Sequence, residues 1–363
     1  MPHCNKRVLS MFLTTECNFS CKYCYVPRDK KRTLDIDFAK CAVDEYVVKG
    51  GLRHIRFFAG GEPTLEFQLM KDIYEYVVSK GYDILFEIQT NGSFDEEIAK
   101  WIADNIDVLW ISMDLDPESS DMYRITSDGS PTSPIVERNL KFFKNMEKKR
   151  TMVGIRATIT KYNVRKQKEG IRYLQDLGIR HIWVDPIFEP LKGAEGRLYE
   201  KIDTMEFARE FVPARAYAKQ MGMFYESNYT TNFDGNTDVS CRACVPMPHL
   251  TADGYVSSCD MALYGEGANH MNVFIYAKYD KSNNRIENNN DRIRILRSRV
   301  LKNMEDECQI CVARNRCAGY CLGESQNEIG NIFKVKECVC KPVRYLFDTI
   351  GDDYHEEFKY KHP

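Results

Sequence analysis

The cysteines of this chain fall into two groups, separated by a long stretch that contains none. Fourteen cysteines are present in 363 residues: five lie between positions 4 and 41, nine lie between positions 241 and 340, and the intervening 199 residues have none. Disulfides are typical of small secreted domains, whereas closely spaced cysteines elsewhere are more often metal ligands. The pattern therefore predicts two separate metal-binding regions and disfavours a disulfide framework.

The composition is that of an ordinary globular protein. Hydrophobic residues make up 43% of the chain, charged residues make up 29%, and the formal net charge is −2. This balance gives no support to a nucleic-acid partner. The first residues do not resemble a signal peptide, and no apolar run reaches the roughly 18 residues of a membrane helix. We therefore expect a cytoplasmic protein with neither a nucleic-acid nor a membrane partner.

Up to about residue 225, short β-branched or aromatic runs alternate with amphipathic segments, which predicts successive βα units. The predicted strands are 8–15, 54–60, 83–91, 108–115, 152–160 and 181–188. The predicted helices are 36–49, 66–80, 95–105, 134–149, 164–177 and 204–221. Six such units predict a parallel α/β sheet, open or closed into a barrel, with its active site at the carboxyl ends of the strands.

After about residue 226 the predicted elements become short and the cysteines return. The polar segment 281–294 is predicted to be a surface loop. This change of character places a domain boundary near residue 230, with one domain at 1–230 and a second at 231–363.

Three cysteines, Cys17, Cys21 and Cys24, lie in a loop directly after the first predicted strand. Three thiolates can hold three irons of a cubane cluster, which leaves the fourth iron open. The C-x3-C-x2-C spacing, followed by the segment GGEP (60–63) after the second strand, resembles the radical S-adenosylmethionine (SAM) superfamily. The resemblance implies that the open iron binds SAM and that electron transfer cleaves SAM to a 5′-deoxyadenosyl radical.

The same resemblance implies a set of SAM-contacting residues at the strand ends. They are Gly60, Gly61, Glu62, Pro63, Thr90, Asn91, Ser112, Asp114 and Arg156. For the later members of this set, an interpretation as ordinary turn residues and polar caps at strand ends stays open.

The later cysteines give a second motif, Cys308-x2-Cys311-x5-Cys317-x3-Cys321. With this cysteine content, a chance match of the three offsets is roughly one in 17,000 per starting position. Upstream, Gly254 lies between Cys244 and Cys259 at turn-like spacing. Together these motifs resemble the SPASM/twitch extension of radical SAM enzymes, which carries two auxiliary [4Fe-4S] clusters.

The SPASM resemblance implies two sets of four ligands. The first set is Cys241, Cys244, Cys259 and Cys321, and the second is Cys308, Cys311, Cys317 and Cys340, with Cys338 as the alternative to Cys340. Cys340 is favoured because it directly precedes a predicted helix with Pro342 in its first turn. A zinc ribbon is the alternative for these cysteines. Cys4 and Cys41 have no assigned partner, and Cys41 lies in a predicted helix.

The combined resemblance implies a partial (β/α)6 TIM-type barrel, which forms a radical SAM core, followed by a small irregular SPASM domain. The implied cofactors are SAM and three [4Fe-4S] clusters. The segment from Ser112 to Arg124, together with Gly129, resembles peptide- and sulfatase-maturing members, which implies oxidation, thioether formation or carbon–carbon crosslinking of a peptide or protein side chain. Asp260 directly follows Cys259 and is a candidate base, and a turn-capping role is its alternative.

The resemblance also implies partners: a peptide, protein or small-molecule substrate, and a reducing electron donor of the flavodoxin or ferredoxin type. A separate peptide-delivery protein is one route by which a peptide would arrive. A small-molecule dehydrogenase or epimerase acting on a sugar or aminocyclitol is an alternative, and an epimerase would need a hydrogen-atom donor such as Cys41 near SAM. A non-catalytic metal-binding scaffold is the alternative from another class.

Overall fold

A computed structural model describes residues 7–27, 31–58, 60–147, 149–192, 194, 198–266, 269–351 and 353–354. Cys4 therefore lies outside the described residues. The strands found in these ranges form a single sheet in the order β11-β10-β9-β8-β1-β2-β3-β4-β5-β6-β7. They are β1 (Leu9–Met11), β2 (His54–Phe57), β3 (Leu85–Thr90), β4 (Val108–Ser112), β5 (Met152–Ile159), β6 (His181–Pro186), β7 (Phe224–Glu226), β8 (His249–Leu250), β9 (Tyr255–Ser257), β10 (Ile275–Asp280) and β11 (Arg285–Asn288).

Strands β1 to β7 are parallel and follow one another in space as they do along the chain. Helical crossovers join them, as parallel neighbours require. These helices are α1 (Ile36–Ala42), α2 (Phe67–Ser79), α3 (Glu96–Asn105), α4 (Pro117–Tyr123), α5 (Ser133–Asn145), α6 (Gln167–Asp176) and α7 (Thr204–Gln220). The predicted α/β fold with a partial barrel is confirmed, and β7 is an additional strand that the sequence pattern did not indicate.

Four of the crossover helices, α1, α3, α4 and α7, begin where the sequence provides an acidic cap. Asp35 accepts hydrogen bonds from the amides of Asp37 and Phe38 at the start of α1, and Asp95 accepts one from the amide of Ile98 in α3. Such side chains satisfy amides that have no partner within the helix. The predicted helix 36–49 changes at its middle, because residues Val43–Lys49 continue α1 as a π-helix.

The first predicted strand is shorter than expected. β1 ends at Met11, and Thr14 instead forms an isolated antiparallel bridge with Thr33. The chain therefore leaves the sheet four residues earlier than the apolar pattern predicts, and this departure begins the loop that carries Cys17.

The C-terminal part extends the same sheet rather than forming a separate one. β8 pairs in parallel with β1, through Ser10 with His249 and Met11 with Leu250, and β8 to β11 then pair antiparallel to one another. The remaining helices are α8 (Asn290–Arg297), α9 (Asp306–Gln309), α10 (Arg314–Cys317), α11 (Leu322–Ile329) and α12 (Glu337–Ile350). The predicted loop at 281–294 is wrong, because this segment contains β11 and the start of α8.

The C-terminal helix α12 packs on α7 of the barrel. Just beyond it, the hydroxyl of buried Tyr354 bonds to Glu226 of β7, and Glu226 forms a buried ion pair of 3.0 Å with Arg215 of α7. The guanidinium of Arg215 lies 4.0 Å from the centre of the Tyr354 ring. This cluster attaches the last described residues to the final strand of the barrel.

Candidate active site and cluster-binding sites

One cavity of about 420 Å³ extends through the inside of the partial barrel to the C-terminal part. Side chains from alternate strand positions form its wall, because successive residues of a strand face opposite sides of the sheet. Among the predicted site residues, those in its wall are Cys17, Cys21, Cys24, Gly60, Gly61, Glu62, Thr90, Asn91, Ser112, Arg156, Cys241, Cys259, Asp260, Cys317 and Cys321. Those outside its wall are Pro63, Asp114, Cys244, Cys308, Cys311, Cys338 and Cys340.

The first three cysteines lie together in the loop after β1. The Cys24 amide donates to the Cys21 carbonyl at 3.1 Å, which folds the loop back on itself. The pKa of the Cys21 thiol is raised to about 11, because burial, the largest cause, and the adjacent thiols of Cys24 and Cys17 outweigh the lowering effect of Arg124. Crowded, buried thiols resist ionisation until a cation compensates their charge, which is the environment that a cluster of iron ions supplies. The three residues therefore fit the cluster that the sequence predicts.

The glycine segment after β2 lies directly against this loop. A Cβ atom on Gly61 would be only 1.9 Å from the carbonyl oxygen of Glu16, the residue before Cys17. The Glu62 amide donates to the same oxygen at 2.7 Å. Gly60 has φ +97 and approaches the Thr14 carbonyl, a left-handed conformation that glycine tolerates best. The two segments that carry the superfamily resemblance thus position each other.

Glu62 is buried and links this segment to the end of β3. Its Oε1 accepts from the Thr90 hydroxyl at 2.6 Å and its Oε2 accepts from the Asn91 amide at 2.6 Å. The Thr64 amide and hydroxyl donate to Oε1 as well. Both carboxylate oxygens therefore bind neighbouring parts of the protein, so Glu62 orders the wall of the cavity.

Asn91 reaches from β3 to the first cysteine. Its side-chain amide donates to Asn18 Oδ1 at 2.8 Å and lies 3.7 Å from Cys17 Sγ. A donor directed at a ligand sulfur is one way in which a protein adjusts the electronic properties of an iron–sulfur site.

Asp114 lies beneath the cysteine loop rather than in the cavity wall. It accepts a hydrogen bond of 2.6 Å from the Tyr23 hydroxyl, and Arg124 donates to that hydroxyl at 3.0 Å. Burial, the main cause, raises the pKa of Asp114 to about 6. Its contacts are those of an anchor for the loop between Cys21 and Cys24, and none of its described contacts points it towards SAM.

Ser112 and Arg156 are register neighbours on β4 and β5, and both face the cavity. Arg156 pairs with Asp185 at 3.3 Å and lies 5.3 Å from the centre of the Trp183 ring. Both positions face the cavity, and their contact with SAM stays a prediction.

Asp260 lies in the cavity wall between two arginines and a histidine. Its carboxylate is 2.6 Å from Arg56, 3.0 Å from Arg242 and 2.8 Å from Nε2 of His249. Burial acts to raise the pKa of Asp260, but Arg56, Arg242 and His249 together lower it well below its usual value. The alternative role as a simple turn cap does not describe this arrangement, since the carboxylate joins β2, β8 and the loop after Cys241.

Cys241, Cys244, Cys259 and Cys321 lie within electrostatic reach of one another. The thiols of Cys244, Cys321 and Cys259 all raise the pKa of Cys241, and the hydrogen bond with Cys244 is the largest cause. The Met261 amide donates to Cys259 Sγ at 3.5 Å. The first predicted ligand set is therefore gathered at one place beside the cavity.

Cys308, Cys311, Cys317 and Cys340 form the third group. Burial, the main cause, raises the pKa of Cys340 to about 12, and the thiols of Cys317, Cys308 and Cys311 contribute. Cys338 instead lines a separate small pocket, and its carbonyl accepts from the Thr204 hydroxyl. Of the two alternatives for the fourth ligand, Cys340 is the one near the other three.

Within the described ranges, no group of three or more His, Cys, Asp or Glu residues converges closely enough for a single metal ion. Ligands of one zinc ion all lie about 2.3 Å from the same point. The thiolates of a [4Fe-4S] cluster each bind a different iron and need no such convergence.

Cys41 lies away from this site. Its thiol contacts the carbonyl of Asn284 in the β10–β11 hairpin at 3.4 Å, and it is not part of the cavity wall. It therefore lacks the position that a hydrogen-atom donor in an epimerase would need.

The sequence motifs missed several ionisable residues of the cavity, among them Arg56, Arg242, His249 and Asp185. Arg56 could have been found, because it shares the inward face of β2 with His54 and Phe58 and interrupts an apolar strand. Arg242 lies in a short helical turn and His249 in the two-residue strand β8, and both segments are too short for a periodic pattern to indicate the direction of a side chain.

The family model of the radical SAM superfamily matches residues 11–159. The cysteine-type anaerobic sulfatase-maturating enzyme of Clostridium perfringens is 25% identical over 257 residues, which cover 68% of this chain and 66% of that enzyme. In the first curated relatives matched, the chain spans between 49% and 66% of the relative's own length.

Two solved structures share the fold over almost the whole chain. Native anSMEcpe with bound AdoMet and Kp18Cys peptide superposes with a TM-score of 0.75 at 18% identity, covering 96% of this chain and 97% of that one. Streptococcus suis SuiB bound to precursor peptide SuiA superposes with a TM-score of 0.67 at 16% identity, covering 93% and 76%. No helix of the described residues is long and apolar enough to cross a membrane. The family match confirms the resemblance that the sequence motifs predict: residues 11–159 of this chain match the radical SAM superfamily.

Proposed function

We propose that this enzyme modifies a side chain of a peptide or protein by a radical reaction, through oxidation, thioether formation or carbon–carbon crosslinking. Cys17, Cys21 and Cys24 would hold a [4Fe-4S] cluster, and the two later cysteine groups would hold two auxiliary clusters. With SAM, the first cluster would supply the 5′-deoxyadenosyl radical that removes a hydrogen atom from the substrate.

One observation carries the proposal: a single cavity is lined by the first cysteine loop, by Gly60 and Gly61, and by Cys259 and Cys321 of the first auxiliary set. A substrate group in this space would lie between the source of the radical and a second redox site. A radical SAM enzyme that only cleaves SAM has no need for the second site. An oxidation does need one, because it must remove an electron from the substrate radical.

The size of the cavity supports a substrate that inserts one side chain. The cavity has a volume of about 420 Å³. This is in the lower part of the usual range of about 300–1,000 Å³ for small-molecule sites, and SAM would fill much of it. The remaining space suits a single side chain of a peptide that stays largely outside. The named relatives give independent support, since the anSMEcpe and SuiB structures are complexes with peptides.

Asp260 has a defined part in this proposal. Its ion pairs with Arg56 and Arg242 make it a weak base in the resting protein, because a carboxylate with a lowered pKa has less tendency to take a proton. We propose that it becomes a base only when a bound substrate displaces one of these arginines. Until then it keeps the cavity wall beside Cys259 ordered.

The first experiment measures iron, zinc and sulfide in anaerobically reconstituted protein, and then 5′-deoxyadenosine formed with SAM and dithionite. We expect about twelve irons per chain and deoxyadenosine formation, since three [4Fe-4S] clusters contain about twelve irons. A Cys17→Ala, Cys21→Ala, Cys24→Ala triple variant should keep about eight irons and form no deoxyadenosine. Cys41→Ala is the matched control and should behave like the unaltered chain.

Zinc in place of iron, or iron without SAM cleavage, would contradict the proposal and favour a metal-bound scaffold. Loss of SAM cleavage in Cys41→Ala would instead favour a reaction that uses this thiol. Deoxyadenosine formation that rises several-fold with candidate peptides, and not with sugars, would separate peptide modification from small-molecule oxidation.

A further inference from the structure

Arg299 has the largest side chain among the fully buried residues, with 0% exposure. Its guanidinium is bound by three carbonyl oxygens: Nε donates to Ile332 at 2.8 Å, Nη1 to Ala318 at 2.5 Å and Nη2 to Gly319 at 2.7 Å. Carbonyls satisfy the hydrogen-bonding groups of a buried cation but do not neutralise its charge. The position of Arg299 therefore raises the question of which anions compensate it.

Two of the three carbonyls belong to the turn that joins the two auxiliary ligand sets. Cys317 is a predicted ligand of the second set, Cys321 is a predicted ligand of the first, and only three residues separate them. All three are left-handed: Ala318 has φ 47, Gly319 has φ 88 and Tyr320 has φ 57. This conformation is costly for alanine and tyrosine, so other contacts must stabilise the turn.

Hydrogen bonds hold the turn at its main-chain groups. The Tyr320 amide donates to the Cys317 carbonyl at 3.2 Å. The carbonyls of Ala318 and Gly319 are bound by Arg299. A Cβ on Gly319 would lie 2.5 Å from Nη2 of Arg299. Arg299 therefore packs against the turn so closely that position 319 requires glycine.

The turn that Arg299 binds ends at one predicted ligand of each set. Ala318 directly follows Cys317 of the second set, and Tyr320 directly precedes Cys321 of the first. The buried cation therefore contacts the backbone that joins the two sites.

We propose that Arg299 is a shared positioning residue of the two auxiliary cluster sites: it fixes the left-handed turn between Cys317 and Cys321 and compensates the negative charge of both clusters. This inference rests on the proposed function, because it requires auxiliary clusters. A site of this kind couples the two clusters electrostatically, since the reduction of either one makes the environment of the same cation more negative.

The test compares Arg299→Met, Arg299→Lys and the control Arg297→Met in reconstituted full-length protein. Arg297 is exposed at the end of α8, two residues before Arg299. The readouts are iron per chain and the midpoint potential of each cluster in an EPR-monitored redox titration, with the SAM cluster as internal reference. In Arg299→Met we expect the reduction equilibrium of both auxiliary clusters to fall about tenfold, which is ~59 mV for a one-electron couple. The SAM cluster should stay unchanged.

Arg299→Lys keeps the charge but loses the planar fork, so its auxiliary potentials should lie nearer to those of the unaltered chain while its auxiliary iron content falls. If Arg299→Met does not fold, the auxiliary potentials and iron content of Arg299→Lys test the inference on their own. Unaltered auxiliary potentials and iron content in both Arg299 variants, or an equal shift of the SAM cluster, would overturn the inference alone. If the unaltered chain takes up only about four irons, the auxiliary clusters are absent, and both the inference and the proposed function are overturned.

Discussion

Gly61 lies against the backbone of Glu16 with no space for a side chain. Residues next to this contact, such as Cys17, are predicted to bind the cluster and SAM. The segment before it leads out of β2, and Glu16 is followed at once by Cys17. In this part of the site the residue type is determined by contact between two backbones. The sequence identifies such a glycine only through its motif, because neither periodicity nor composition indicates which atoms a side chain at that position would clash with.

We expect Gly61→Ala to displace the cysteine loop, because its Cβ would lie 1.9 Å from the Glu16 carbonyl. The variant should lose about four irons, the content of one [4Fe-4S] cluster, and SAM cleavage should fall at least ~100-fold because the reacting groups are misplaced. Iron analysis and deoxyadenosine assays measure both. Gly222→Ala is the matched control: Gly222 has φ +66, but a Cβ there meets nothing within 4 Å. Normal iron content in Gly61→Ala would refute this account of the motif.

His181, the first residue of β6, predicts a pH dependence of stability. Burial lowers its pKa from 6.5 to about 4. The unfolded chain therefore binds a proton at a higher pH than the folded chain, so this contribution is present above pH 6.5 and is lost as the pH falls towards 4. We expect it to weaken folding by about 2 kcal/mol between pH 7 and pH 5.

Urea denaturation at the two pH values, compared between the unaltered chain and His181→Phe, isolates this term. Phenylalanine cannot titrate and can retain the ring contact with Phe224. The pH-dependent loss should be about 2 kcal/mol smaller in the variant. An equal loss in both proteins would show that other groups carry the dependence.

Individual elements were predicted well where a helix has one buried face. α2, α3 and α7 begin and end within about one residue of the predicted ranges, because apolar spacing and capping residues are local signals. The strands β7 to β9 have two or three residues each, too few for a period to be recognised. The hairpin at 275–288 was missed for another reason: β11 is mostly exposed, so its polar residues gave the pattern of a loop.

Glu226 and Arg215 form a buried ion pair where α7, β7 and the C-terminal residues meet. We expect Glu226→Ala to destabilise the fold by about 3–5 kcal/mol, because it leaves buried Arg215 without its carboxylate partner. The free energy of unfolding from denaturant titration measures this effect. The matched double variant Arg215→Met, Glu226→Leu removes both charges and should be destabilised by much less. An equal or greater loss in the double variant would mean that the ion pair is not the main contribution of these residues.

The fold class of the whole molecule could be predicted from the sequence, but the way in which its two parts are joined could not. Successive βα units and two cysteine motifs indicated a partial barrel and a cysteine-rich appendix, and the barrel is confirmed. The boundary at residue 230 and the cluster ligands stay predictions. What the sequence could not indicate is that β8 pairs with β1, because pairing between strands so far apart in the chain leaves no local signal. The surroundings of Asp260 were missed for the same reason, since Arg56 comes from β2 and His249 from β8.

Because the sheet is continuous, we expect residues 1–230 alone not to fold into a stable domain. Removal of β8 exposes the edge of β1 and one wall of the cavity, and an unpaired edge of this kind promotes aggregation. Expression of 1–230 and of the full chain, compared by size-exclusion chromatography and by thermal unfolding, measures this. A monomeric 1–230 fragment that unfolds cooperatively would contradict the prediction and support an independent N-terminal domain.

The central place of β1 has a consequence for the order of events during synthesis. Its first neighbour, β2, emerges from the ribosome soon after it, but its second neighbour begins only at His249. At about 5–20 residues per second, the edge of β1 waits roughly 10–50 s for this partner. The barrel is thus completed late, when most of the cysteines of the second group have yet to be synthesised. During that interval the nascent chain needs chaperones or rapid synthesis, because otherwise the open edge of β1 can pair with other chains.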